Sequence, residues 1–374
     1  MTSSMAVQES LAQIVDKKGV SCLFYLAEQG LKHELSIDSL AEHILESQRI
    51  FEESHTLNDQ VVQNLMAFYR SALPRIKRSD QRESNKRYYR GLLFSFISSL
   101  EGKKYKRNNE TKALIAHYRA SLCAGTYLAD FDVKKAYIMK IDSIKSAQTL
   151  FIKTDDIQYK IQEFYLGVGA ALLLINNAKN LKESYSTNPF KSKEETLLMA
   201  WKTLSVASDA AGFVYHFTNE AKWANNWITT KYRAAKNMEA LDPGMAATFY
   251  YNIARIYSQI GQNEEKLDKK RTVKISTKGY VRENFLQQYN FLKKAISLTY
   301  PDDKIMLFRR QSLAGYKAKI LSRLFGNRNW ARKSLNHLEE SLKYIGHIDP
   351  KEAEYLKRMA DEDIAYLKRT FGID

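Results

Sequence analysis

Apolar residues recur every three or four positions along almost the whole of this 374-residue chain, and little interrupts them. Between residues 37 and 51 the stripe is Ile37, Leu40, Ala41, Ile44, Leu45 and Phe51; between 61 and 69 it is Val61, Val62, Leu65, Met66, Phe68 and Tyr69. Such spacing puts these positions on one face of a helix. The chain carries only 15 glycines and 5 prolines, too few turn residues for many short strands and hairpins. Thr272–Ile275 is the one short strand candidate. The expected fold class is all-α: stacked antiparallel helical hairpins.

Capping chemistry marks the boundaries. Thr56 with Asp59 and Ser192 with Glu195 have capping-box spacing. Asp349-Pro350-Lys351-Glu352 sets a cap, an N1 proline and an early acid in order. Stops are expected at Gly30, Gly102, Gly261, Gly326 and Gly346. Helices are therefore expected near 4–17, 20–29, 36–53, 57–73, 83–100, 109–129, 132–152, 156–179, 193–220, 222–240, 244–261, 283–299, 303–325, 328–345 and 350–371. Residues 180–193 and the Lys/Arg-dense 262–282 read as surface loops. No stretch has the composition of a linker, so residues 1–374 read as one helical-repeat domain.

Cys22 and Cys123 offer neither a disulfide framework nor a zinc spacing, which fits a reducing compartment. No basic-then-apolar leader opens the chain, and no apolar run nears the roughly 20 residues of a membrane span. A cytoplasmic chain, at most peripheral on membranes, is expected. The seven histidines form no HExxH or other ligand spacing, and no phosphate-binding glycine loop or nucleophile elbow is present. The carboxylate pairs Asp155-Asp156 and Glu194-Glu195 fall at helix starts, where acids complement the dipole. No catalysis, cofactor or metal is expected.

The charge of +16, from 58 basic and 42 acidic residues, suits an acidic protein surface, anionic lipid or nucleic acid. One basic cluster holds Lys266, Lys269, Lys270, Arg271, Lys274, Lys278 and Arg282; another runs from Arg75 through Arg107. Either could meet anionic lipid or phosphates, or simply be solvated. Trp201, Trp223, Trp227 and Trp330 could stack on single-stranded bases, but their helical spacing among apolar neighbours favours core packing.

Tyr250, Ile253, Ala254, Tyr257 and Gly261 have the spacing of the first helix of a tetratricopeptide repeat, in which a small residue lets helices approach between aromatics. The order of further segments resembles the BRO domain of ALIX-type ESCRT adaptors, over about residues 85–345. The segments are Tyr88-Tyr89-Arg90-Gly91-Leu92-Leu93; Glu163 and Leu166 before Ala170-Ala171-Leu172; Ala210-Ala211-Gly212-Phe213 with His216; and Pro243-Gly244-Met245-Ala246-Ala247 leading to Tyr257. Residues 1–84 and 350–371 would flank this core as further helices. The resemblance implies a curved helical array and a non-enzymatic adaptor that docks a partner's amphipathic helix or acidic segment, from an ESCRT-III subunit, in an apolar groove. By position the groove residues are Tyr232, Met245 and Phe249, with Lys236 at the rim. Lys266, Lys269, Lys270, Arg271 and Lys274 would be the contacts to an anionic surface. Ordinary core packing is the plain alternative for the groove residues. A basic nucleic-acid-binding repeat protein is the rival function.

Overall fold

The computed structural model describes residues 73–74, 76–78, 82–180, 192–270 and 277–373, with the backbone alone described at 180, 263–270 and 277–280. Every regular element among them is helical. In order they are α1 (Glu83–Asn108), α2 (Thr111–Tyr127), α3 (Val133–Thr154), α4 (Ile157–Asn180), α5 (Lys193–Thr218), α6 (Ala221–Met238), α7 (Pro243–Lys270), α8 (Thr277–Ser297), α9 (Lys304–Phe325), α10 (Arg328–Leu342), a 3-10 turn (Ile345–His347) and α11 (Pro350–Phe371). The chain divides into two compact units, residues 1–193 and 194–374. In the first, α1 to α4 each pack on the next; in the second, the same holds from α6 through α11. The protein is an all-α helical repeat array of adjacent hairpins.

Short polar side chains set the helix starts. Asp132 Oδ1 accepts from Lys135 N at 2.8 Å, Asp303 Oδ1 from Met306 N at 3.2 Å, and Asp349 Oδ1 from Lys351 N and Glu352 N at 3.0 and 3.3 Å, with Pro350 at the first position of α11. Each such cap stabilises its helix by about 1 kcal/mol. Asp155 ends α3 with φ 54°, and Asp156 caps α4 by accepting from Gln158 N at 2.9 Å. That gives the first carboxylate pair a structural use. Gly326 ends α9 with φ +59°, a conformation glycine adopts without strain.

Gly102 and Gly261 do not stop their helices. Helix α1 runs on to Asn108 and α7 to Lys270. A Cβ at 102 would sit 3.1 Å from the His117 ring, and one at 261 would sit 3.1 Å from Asn284 Nδ2. Both glycines serve close helix contact rather than termination. The expected loop at 262–282 is therefore helical up to Lys270 and again from Thr277. The helices expected before residue 73, the Thr56–Asp59 box, Gly30, Cys22 and the Thr272–Ile275 strand candidate lie outside the described residues.

The cores follow the apolar stripes. The first unit buries Leu114, Tyr118, Ile144, Ala147, Leu150 and Leu166 together. The second buries Ala254, Tyr289, Leu292, Ala314, Ala318 and Leu321 around α7, α8 and α9. Each fully buried leucine contributes about 2 kcal/mol. Buried Glu163 ties α4 to α3, accepting from Gln148 Nε2 at 2.7 Å and from Lys160 Nζ at 2.8 Å. Trp201, Trp223 and Trp227 are buried, and Trp330 meets Tyr289 edge-on at 4.9 Å. Three tryptophans are core, and the half-buried Trp330 packs against it.

Candidate functional site

The four groove residues divide between two environments. Tyr232 on α6 is 40% exposed, and its ring meets Tyr250 of α7 and Phe291 of α8 edge-on at 6.2 and 6.0 Å. Tyr250 and Tyr257 both stack on Phe291, at 6.0 and 5.7 Å. An aromatic seam thus joins three helices. The Tyr250 hydroxyl donates to Glu239 Oε1 at 2.5 Å; burial and that carboxylate push its pKa up, so it remains a donor. Lys236 is exposed and Met245 half-buried. Phe249 is 8% exposed, and the ammonium of buried Lys231 lies 5.8 Å from its ring centre. Lys231 pairs with Asp209 of α5 at 2.8 Å and donates to Ser205 O and Oγ, each at 2.9 Å. Tyr232 therefore belongs to the seam with α8, while Phe249 packs beside the link from α6 to α5. A substitution at Phe249 reads packing first.

The basic clusters are partly committed elsewhere. Lys266, Lys269 and Lys270 fall on the last turns of α7; Arg271 and Lys274 lie outside the described residues. Arg282 donates to Leu324 O at 2.9 Å and covers the Phe325 ring. In the first unit Arg87 pairs with Asp130 at 3.0 Å, and Arg90 lies over Tyr127. Among the described residues no helix is long and apolar enough to cross a membrane.

The second unit also holds a cavity of about 250 Å³ among α7, α8 and α9. Tyr251, Ala254, Arg255, Ser258, Gln259 and Gln262 line it from α7, at the offsets of a single helix face. Gln288 and Leu292 of α8 and Leu313 and Lys317 of α9 complete it. Lys317 is 8% exposed, its Nζ 5.1 Å from the Phe285 ring centre and 5.6 Å from that of Tyr316. Burial pulls its pKa down to about 8, because desolvation disfavours the charged form. No carboxylate stands among the described lining residues. Gln288, 2% exposed, donates through Nε2 to Asn284 Oδ1, while its Oε1 is buried with no hydrogen-bond donor among the described residues. The buried Lys317 and the exposed Arg255 thus line one small cavity. The buried ammonium carries a desolvation cost that an anionic ligand would offset.

The first unit's cavity, about 440 Å³, is charged in both senses: Asp142 lines it together with Lys103, Lys106 and Lys145. Its Ser98 hydroxyl lies 3.0 Å from His117 Nδ1 and 2.6 Å from Ser121 Oγ, and the same ring nitrogen lies 2.7 Å from Ser98 O.

Reading the sequence for a groove missed the α7–α9 cavity. One signal was available: Lys317 interrupts the apolar stripe of Ala314, Ala318 and Leu321. A lysine inside such a stripe has to be buried or accommodated.

No protein-family model matches the chain, and no curated protein matches it. Among solved structures it is similar to one titled "Circular tandem repeat protein with novel repeat topology and enhanced subunit contact surfaces", at 11% identity and a TM-score of 0.31, covering 98% of this chain and 87% of that one.

Proposed function

We propose that this chain is a non-enzymatic scaffold that binds an acidic segment of a partner protein on the face built by α7, α8 and α9. The observation that supports this reading is the cavity bearing Lys317 and Arg255 without a carboxylate among its described lining residues. Charge complementarity then favours an acidic occupant. The order of segments resembling the BRO domain supports a narrower version, in which the partner is an ESCRT-III subunit met in the cytoplasm at a membrane surface.

The test is affinity capture from a lysate of the source cells, with and without nuclease, with wild type beside Arg255→Glu. Arg255 is exposed, so its reversal leaves the fold intact, as surface changes generally do. The expected result is recovery of a protein partner that falls about tenfold or more with Arg255→Glu, as reversal of a contacting charge does. Full recovery by the folded variant would refute the assignment of the face. Recovery that vanishes with nuclease alone would favour a nucleic-acid-binding function instead.

A further inference from the structure

We infer that His337 is an acid-sensitive clasp: while its imidazole is neutral it fastens α10 to α8 and α9, and its protonation loosens α10 from both. The clasp is independent of the scaffold reading, although α8 and α9 also wall the cavity. His337 is half-buried on α10, and both of its ring nitrogens are engaged. Nδ1 lies 2.6 Å from Gln311 Oε1 of α9, and Nε2 lies 3.1 Å from the Tyr289 hydroxyl of α8. Gln311 and Tyr289 are themselves buried. An amide oxygen only accepts, so Nδ1 carries the proton and Nε2 accepts from the Tyr289 hydroxyl. One neutral tautomer thus ties three helices together.

An imidazolium carries a donor on each nitrogen and no acceptor. On protonation the Tyr289 hydroxyl proton loses its acceptor, and it has no second one among the described residues. The new charge also meets like charge. Lys293 of α8 and Lys333 of α10 both act against it, and Lys333 Nζ lies 6.0 Å from the Tyr289 ring centre. The carboxylate that acts in its favour, Glu340 of α10, is engaged by Lys343 at 2.5 Å and by the Tyr344 hydroxyl at 2.9 Å. Toward the ring α9 turns neutral Gln311, and α11 meets α10 through the apolar cluster of Leu335, Leu338 and Leu367. Burial, then Lys293, hold the imidazole's pKa below its ordinary value. The folded state therefore binds this proton more weakly than the unfolded chain does. The clasp is complete above about pH 6.5 and is lost as pH falls through the lowered folded value.

The experiment is amide hydrogen exchange of the full chain from about pH 7.5 to about pH 5.5, either side of the ordinary histidine value. Exchange is read by mass spectrometry in peptides from α10 and divided by the intrinsic rate at each pH, with wild type beside His337→Gln. Glutamine keeps a donor and an acceptor but does not titrate. In wild type the opening constant of α10 is expected to rise about fivefold or more across the last pH unit, with about tenfold as the limit for one proton. In His337→Gln it should change by less than about twofold. A second measurement needs no variant: exchange at the imidazole C2 carbon of wild-type His337 should give a midpoint below about 6.5. Opening of α10 that is indifferent to pH in wild type, or that rises equally in His337→Gln, would overturn the proposal. So would an imidazole midpoint at or above the ordinary value, even where the variant folds poorly.

Discussion

Gly212→Ala is expected to destabilise the second unit by about 3 kcal/mol, at the upper end of overpacking costs. Gly212 lies in α5 where α6 crosses it, and an added Cβ would meet Trp227 Cδ2 at 2.6 Å and Cζ2 at 2.7 Å. The indole cannot retreat easily. Trp227 is buried, with the Tyr215 and His216 rings 6.5 and 5.3 Å away. Gly244→Ala is the control. Its Cβ would approach Tyr300 Cε2 as closely as one at 212 approaches Trp227 Cε2, but Tyr300 is 52% exposed and can swing into solvent. It should cost less than about 1 kcal/mol. Urea unfolding followed by tryptophan fluorescence checks both, because all four tryptophans belong to the second unit. Equal midpoints for the two variants would show that the Gly212 contact is not the tight one.

Arg310→Ala should destabilise the same unit by about 3 kcal/mol, whereas Arg310→Met should stay within about 1 kcal/mol of wild type. Arg310 is 2% exposed; it donates to Thr299 Oγ1 and, at 3.2 Å, to Thr248 Oγ1, with its guanidinium over the Tyr251 ring. Its Nε has no partner among the described residues, and burial pulls its pKa down. Alanine leaves a void where the long side chain stood. Methionine fills most of that space and removes the desolvated charge. It orphans neither threonine's donor, since Thr299 donates to Ala295 O at 2.7 Å and Thr248 to Gly244 O at 3.1 Å. The same fluorescence assay decides: if methionine costs as much as alanine, the charge itself is holding α9 in place.

These residues also show what could be read in advance. The helix ends at Asp132, Asp303, Asp349 and Gly326 were legible because a cap is a local event, completed within a few residues of sequence. The small residues at 210–212 were legible as a segment, but their purpose, the approach of Trp227, depends on a helix that begins later. Gly102 and Gly261 misled because a glycine that ends a helix and one that admits a neighbour look alike without that neighbour. The Tyr232, Met245 and Phe249 set is divided by helical phase: Phe249 and Tyr250 are adjacent in sequence yet point about 100° apart around α7, one toward Lys231 and the other into the seam. The α7–α9 cavity lay furthest from view. Its two central groups, Gln288 and Lys317, come from different helices and mean nothing until those helices pack.

The most direct test of the account is residue-resolved lysine acylation, read by mass spectrometry, on the free protein and on its complex with the captured partner. The account predicts that labelling of Lys317 falls about tenfold or more in the complex, while Lys145, at the first unit's cavity, labels equally in both. Unchanged labelling of Lys317, or protection transferred to Lys145, would contradict it.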